Sequence, residues 1–110
     1  MLLLLDGDTT FDPAISHARS LNRPIVVAGL GYGKIERDVI VARRYYDLTT
    51  KAPDDAIPRA AGSPVPRTGG RDAYVALLQK TVAPRLSHLY PIDPTRMTLF
   101  GHSLGGAFCL

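Results

Sequence analysis

The sequence predicts an α/β fold in which a mostly parallel sheet is flanked by helices. Two short apolar runs, Leu2–Leu5 and Ile25–Gly29, bracket an amphipathic stretch, the order strand, helix, strand. A crossover of that kind implies parallel pairing of the two strands. A third apolar run, Met97–Phe100, passes directly into a glycine-rich turn and then into residues able to begin another helix.

Each element has a local cause. Leu2–Leu5 is wholly apolar and ends at Asp6-Gly7, which suits a strand buried on both faces. Asp12-Pro13 offers a helix start, an N-cap acceptor followed by proline at the first helical position. Phe11, Ala14, Ile15, Ala18 and Leu21 then recur at helical spacing, so a helix is predicted near Pro13–Leu21. Asn22 suits the left-handed position after a helix, and Pro24 blocks continuation. From Gly31 to Gly70 the pattern dissolves, although Glu36–Tyr46 is helical by pattern. Ala52–Gly70 carries Pro53, Pro58, Pro64 and Pro66 and is too broken for regular structure; it is expected to run over one face of the sheet. The stripe Tyr74, Leu77, Leu78, Val82, Leu86 and Leu89 predicts a helix near Asp72–Tyr90, with Pro84 imposing either a kink or a division into two helices. The Met97–Phe100 strand is expected to lie centrally, because the turn after it must reach the crevice at the carboxyl ends of the strands.

Bulk properties narrow the function classes. A chain of 110 residues is one small domain or part of a larger one, and 45% hydrophobic with 21% charged residues is the balance of a folded protein. The net charge is +3, and the arginines from Arg19 to Arg96 are interleaved with acids, so no basic stripe exists to bind nucleic acid. Cys109 is the sole cysteine, which excludes an intrachain disulfide and a thiolate zinc cluster. The opening Met1–Leu5 run lacks a basic flank and is too short for a signal peptide, and no stretch reaches the ~18 apolar residues of a membrane span. A cytoplasmic protein with neither membrane nor nucleic-acid partner is expected.

The chemistry concentrates at the end of the chain. Gly101-x-Ser103-x-Gly105 has the spacing of a nucleophile elbow, in which a serine stands on a strained strand-to-helix turn. The turn closes only if the flanking positions lack side chains, hence the glycines. The motif follows an apolar strand, is reinforced by Gly106, and leads into Ala107-Phe108-Cys109-Leu110, which favours an elbow over a glycine-rich turn with a bystander serine. Ser103 is the candidate nucleophile, and the N–H of Leu104 is one candidate oxyanion donor. The other is expected from Asp6-Gly7-Asp8, where Gly7 permits close backbone approach; the competing reading of Asp6-Gly7 is a plain turn.

Leu4-Leu5-Asp6-Gly7 with Phe11 downstream, Arg43-Arg44-Tyr45-Tyr46-Asp47-Leu48-Thr49 and Gly101-His102-Ser103-Leu104-Gly105-Gly106 together resemble the esterase branch of the α/β-hydrolases. The chain is most similar to the enterochelin-esterase-like enzymes, which cleave siderophore trilactones, and the likeness runs from about Leu3 to Leu110. The elbow alone identifies only the superfamily; the three blocks, with Thr68-Gly69-Gly70 opening the long helix, narrow it. The resemblance implies a partial α/β-hydrolase fold and a serine ester hydrolase that forms an acyl-enzyme on Ser103. It also implies Gly7 and Leu104 at the oxyanion hole, no cofactor and no metal, and a small-molecule ester substrate such as a ferric siderophore. It further implies contact of Arg43 or Arg44 with an anionic substrate such as a catecholate, against the alternative of a surface salt bridge or loop anchor. Thr50 stands where the family often has proline and Thr81 where it often has an acid, departures expected to touch packing rather than chemistry. A generic carboxylesterase or an S-formylglutathione-hydrolase-like thioesterase is the alternative within the superfamily.

The family's triad runs Ser, then Asp or Glu, then His in chain order. Only seven residues follow Ser103, and none is Asp, Glu or His. His17, His88 and His102 all precede the nucleophile, and His102, adjacent to it, is aimed away by the elbow. Residues 1–110 are therefore expected to be the N-terminal part of a single α/β-hydrolase domain, inactive alone; the alternative is a non-catalytic remnant. Gly29-Leu30-Gly31-Tyr32-Gly33-Lys34 invites a nucleotide-loop reading but fits neither fingerprint, since Ile35 follows the lysine and Lys34 stands where a dinucleotide loop needs glycine.

Overall fold

The computed structural model describes residues 1–53, 56 and 62–110. Its centre is a parallel sheet of β1 (Leu2–Leu4), β2 (Val27–Gly29) and β3 (Thr98–Phe100) in the order β2-β1-β3. Leu3 lies opposite Ala28 on one side and Leu99 on the other. All three expected strands are present and parallel, each a little shorter than the apolar run that forms it.

The helices are α1 (Gly7–Ser20), α2 (Arg37–Leu48), α3 (Arg71–Leu77), α4 (Ala83–Leu89) and α5 (Leu104–Phe108). Leu3 and Leu5 join Leu48 of α2, Phe108 of α5 and Leu78, just after α3, in one buried cluster, with Tyr74, Val75, Leu86 and Leu99 around it. Leu4 faces the other way and is equally sealed, 1% exposed. A wholly apolar β1 thus follows from a strand covered on both faces. One expectation differs from what the described strands show. Among the described strands β1 is central and β3 lies at an edge, with Thr98 exposed and Phe100 47% exposed.

The start of α1 also differs from the sequence reading. Asp12-Pro13 is the strongest local start signal, yet the helix begins at Gly7 and carries Pro13 inside it. The reason is long-range. Gly7 N–H donates to Leu30 O (2.7 Å), extending the β1–β2 pairing into the first helical turn. Asp6 O then accepts from the N–H groups of Thr9 (2.9 Å) and Thr10 (3.0 Å), which starts the helix directly off the strand. Asn22 does adopt the left-handed conformation expected of it, with φ 47°.

The stretch predicted near Asp72–Tyr90 is helical from Arg71 to Leu89. Between α3 and α4 the residues Leu78–Val82 form a π-helical turn, and the junctions at Leu78 and Ala83 keep right-handed helical dihedrals. Pro84 therefore follows a widened turn within one helical run. Such a turn is a recognised way of accommodating a break in the i→i−4 ladder.

The Ala52–Gly70 expectation falls partly on residues 54, 55 and 57–61, which lie outside the described residues. What is described lies against α2. Gly70 N–H donates to Tyr46 O (2.8 Å), Gly69 and Arg71 N–H to Thr49 O (both 3.1 Å), and the Arg67 guanidinium lies 5.2 Å from the Tyr46 ring centre. No helix among the described residues is long and apolar enough to cross a membrane.

Candidate active site

β3 delivers the chain to Gly101 and His102, and α5 begins at Leu104, so Ser103 occupies the turn between strand and helix. Its dihedrals, φ 55° and ψ −120°, match the first central position of a type II′ turn, a conformation that glycine favours and serine adopts only under strain. Packing explains the glycines beside it. A methyl group on Gly101 would overlap the Gly105 carbonyl and lie 2.8 Å from Gly106 N; one on Gly105 would lie 3.3 Å from Asp6 Oδ2. Gly105 N–H donates to His102 O and Ala107 N–H to Ser103 O, each at 3.0 Å, closing the first turn of α5. The N–H of Leu104 has no backbone acceptor among the described residues.

Ser103 is exposed and lines a cleft of about 690 Å³ with Asp6, Asp8, Tyr32, Arg37, Arg44 and His102. The opposite wall is the turn after β1. Asp6 is left-handed, φ 54° and ψ 43°, unusual for a residue other than glycine. The sequence reading puts Gly7 in the oxyanion hole, but its N–H is already taken by Leu30 O. What glycine supplies there is closeness, since a Cβ would lie 2.7 Å from the Gly29 carbonyl carbon. The next amide, Asp8 N–H, has no backbone acceptor among the described residues. The Asp8 carboxylate accepts from Tyr32 N–H (2.6 Å), tying this turn to the segment after β2.

The two arginines singled out from the sequence part company. Arg44 lines the cleft, where Nε–H donates to Asp6 Oδ1 (2.6 Å) and Nη2–H to Asp6 Oδ2 (2.8 Å). The hydrogen bond to Asp6 pushes its pKa still further above the ordinary guanidinium value. Arg43, one residue earlier, lines a separate groove of about 1010 Å³ with Val39, Tyr46, Pro64 and Val65, away from Ser103. Helical geometry turns neighbours about 100° apart, so only one of the pair can face the cleft.

Two further residues line the cleft without a motif that marks them in the sequence. Arg37 opens α2 and lines the cleft, and its only sequence signal was membership of a charged helix start. Tyr32 stands in the sequence only as a member of the glycine-rich run Gly29–Lys34. Its Oη is buried with no hydrogen-bond partner among the described residues, and burial pushes the phenol pKa well above its usual value, with Tyr74 and Asp47 adding to it. Of the histidines, His102 borders the cleft, whereas His17 and His88 do not. The arrangement can present a serine hydroxyl and unpaired amides to an acyl group.

A protein-family model described as "Putative esterase" matches residues 1–110. The chain is 30% identical to ferri-bacillibactin esterase BesA of Bacillus subtilis, over 100% of this chain and 40% of that protein. It is 36% identical to a siderophore enterobactin esterase of Emericella nidulans, over 97% of this chain and 38% of that protein. The crystal structure of the BES protein from Bacillus cereus superposes with a TM-score of 0.78 at 29% identity, covering 97% of this chain and 43% of that one. The chain thus spans about 40% of the length of the curated relatives it matches. With the strand–Ser103–helix turn in place and the family model matched from Met1 to Leu110, the chain belongs to the Putative esterase family and has the α/β-hydrolase fold in part.

Proposed function

We propose that these residues form the nucleophile-bearing part of a cytoplasmic serine esterase that hydrolyses the ester bonds of a siderophore, ferric siderophores included. The observation that carries this reading is Ser103 held at φ 55°, ψ −120° between β3 and α5, open to the cleft it shares with Asp8, Arg37 and Arg44. Ser103 Oγ attacks the ester carbonyl while a base takes its proton, and the carbonyl oxygen becomes an oxyanion. The N–H groups of Leu104 and Asp8 are the donors for that charge, each such donor being worth about 2.7–4 kcal/mol. Collapse breaks the ester C–O bond, and the leaving oxygen takes from the base the proton that came from Ser103. Water, deprotonated by the same base, then attacks the acyl carbon, and Ser103 leaves with its proton restored.

The triad order puts the acid and histidine after the nucleophile, so they are expected from a segment joined downstream of residue 110. The protein carrying that segment is called the intact enzyme below. The relatives named for bacillibactin and enterobactin support an anionic, iron-binding ester as substrate. A cleft of about 690 Å³ suits one arm of such a molecule, and Arg37 and the outer edge of Arg44 give it a cationic side. Arg43 would meet only a substrate that reaches round α2.

The test is labelling of the intact enzyme with a fluorophosphonate probe. Ser103 is expected to react and Ser103→Ala to abolish the adduct, with Ser16, Ser20, Ser63 and Ser87 unlabelled. An adduct that persists in Ser103→Ala would place the nucleophile elsewhere. Trilactones should outrun simple acyl esters and thioesters; the reverse order would make the protein a general carboxylesterase or thioesterase.

A further inference from the structure

Asp6 sits where three elements meet. It is the residue between β1 and α1, its carboxylate is gripped by Arg44 on α2, and Oδ2 lies 3.3 Å from the point where a Gly105 side chain on α5 would begin. The grip is two-pronged, at 2.6 and 2.8 Å, and links residues 38 positions apart in the chain. The side chains are 13% exposed for Asp6 and 25% for Arg44, so the pair forms a cleft wall sheltered from water rather than a surface contact. The core does not use it: the buried cluster is built from Leu3, Leu5, Leu48, Leu78 and Phe108. Asp6 also holds a left-handed backbone, and its carbonyl accepts from Thr9 and Thr10. The Asp8 N–H therefore takes its position from Asp6.

Resting on the serine-esterase reading of this cleft, we infer that Asp6 and Arg44 are a positioning pair that sets the oxyanion turn against the elbow. The pair touches no reacting atom; it acts through the Asp8 N–H. Oxyanion donors work only at about 2.7–3.1 Å from the developing charge, and a displacement of about 1 Å can cost roughly a hundredfold in rate. A fork-to-fork arginine–carboxylate contact fixes distance and angle together, which one point charge does not. A donor used chiefly in the transition state leaves ground-state binding nearly untouched, so disturbing its support lowers kcat and spares KM.

The experiment measures kcat, KM and melting temperature of the intact enzyme and of Asp6→Asn, Arg44→Lys and the double variant, on an ester substrate. Asparagine tolerates the left-handed backbone as aspartate does, and lysine keeps the charge while losing the fork. Each single change is expected to lower kcat about 10- to 100-fold with KM within about twofold. The double variant should be no slower than the slower single one, because both remove the same contact. Unchanged kcat, a rise in KM alone for Arg44→Lys, or a kcat loss that tracks a matching fall in melting temperature would each overturn the inference. If Asp6→Asn does not fold, Arg44→Lys carries the same test. Ser103→Ala separates the two readings: hydrolysis surviving it sinks the esterase assignment, whereas a dead Ser103→Ala beside a fully active Asp6→Asn sinks only the positioning pair.

Discussion

Replacing Ser103 by glycine should make the chain more stable while destroying its proposed chemistry. The elbow holds a Cβ-bearing residue at φ 55°, ψ −120°, and backbone strain of that kind is worth about 1–3 kcal/mol. Glycine relieves it but loses about 0.4–1 kcal/mol through its freer unfolded chain. The net gain is about 1 kcal/mol, or a rise of about 4–8 °C in melting temperature for a chain of this size. Ser103 is exposed, so no packing is lost with its side chain. Ser103→Ala is the control, since it removes the hydroxyl and keeps the strained Cβ. Thermal and urea unfolding of the 110-residue chain and of both variants, followed by circular dichroism, measures the difference. A glycine variant no more stable than the alanine variant would show that the turn stores no strain.

Three further outcomes are expected. Leu4→Ala, at a side chain 1% exposed in the central strand, should cost about 2–5 kcal/mol by urea unfolding, whereas Leu110→Ala, fully exposed, should stay within about 0.5 kcal/mol. Burial raises the Tyr74 hydroxyl to about 12, so the folded state holds a proton that the unfolded state releases near its ordinary value of 10.0. Stability from this source is complete below pH ~10 and lost as pH climbs through ~12, and Tyr74→Phe should flatten that alkaline decline in an unfolding titration. The isolated chain should hydrolyse esters barely above background, with no further loss on His17→Ala, His88→Ala or His102→Ala; robust turnover that one of these changes abolishes would reveal a base within these residues.

The features legible in the sequence are those encoded by near neighbours. The all-leucine run before Asp6 announces a doubly buried strand, the order of apolar segments announces parallel pairing, and Gly101-x-Ser103-x-Gly105 announces the elbow. The strand and the elbow are satisfied within a few residues, because strand burial has a period of two and the elbow's crowding is between Gly101 and Gly105. The parallel pairing is legible from the strand–helix–strand order alone. Even Asn22, the left-handed residue after α1, could be read in this way.

Tertiary structure decided the rest. The beginning of α1 moved from Pro13 to Gly7 because the Gly7 N–H found Leu30 O, a partner that no local pattern announces. The same bond occupies the Gly7 N–H, whereas the Asp8 N–H has no backbone acceptor among the described residues. Arg43 and Arg44 are equivalent in sequence, and only the packing of α2 turned one to Asp6 and the other to a separate groove. Among the described strands β1 lies between β2 and β3, an order that no single apolar run announces. Periodicity and spacing record which face of an element is apolar; the pairing of residue 6 with residue 44, or 7 with 30, exists only after the chain has closed those loops, and hydrogen-bond geometry then selects the partner.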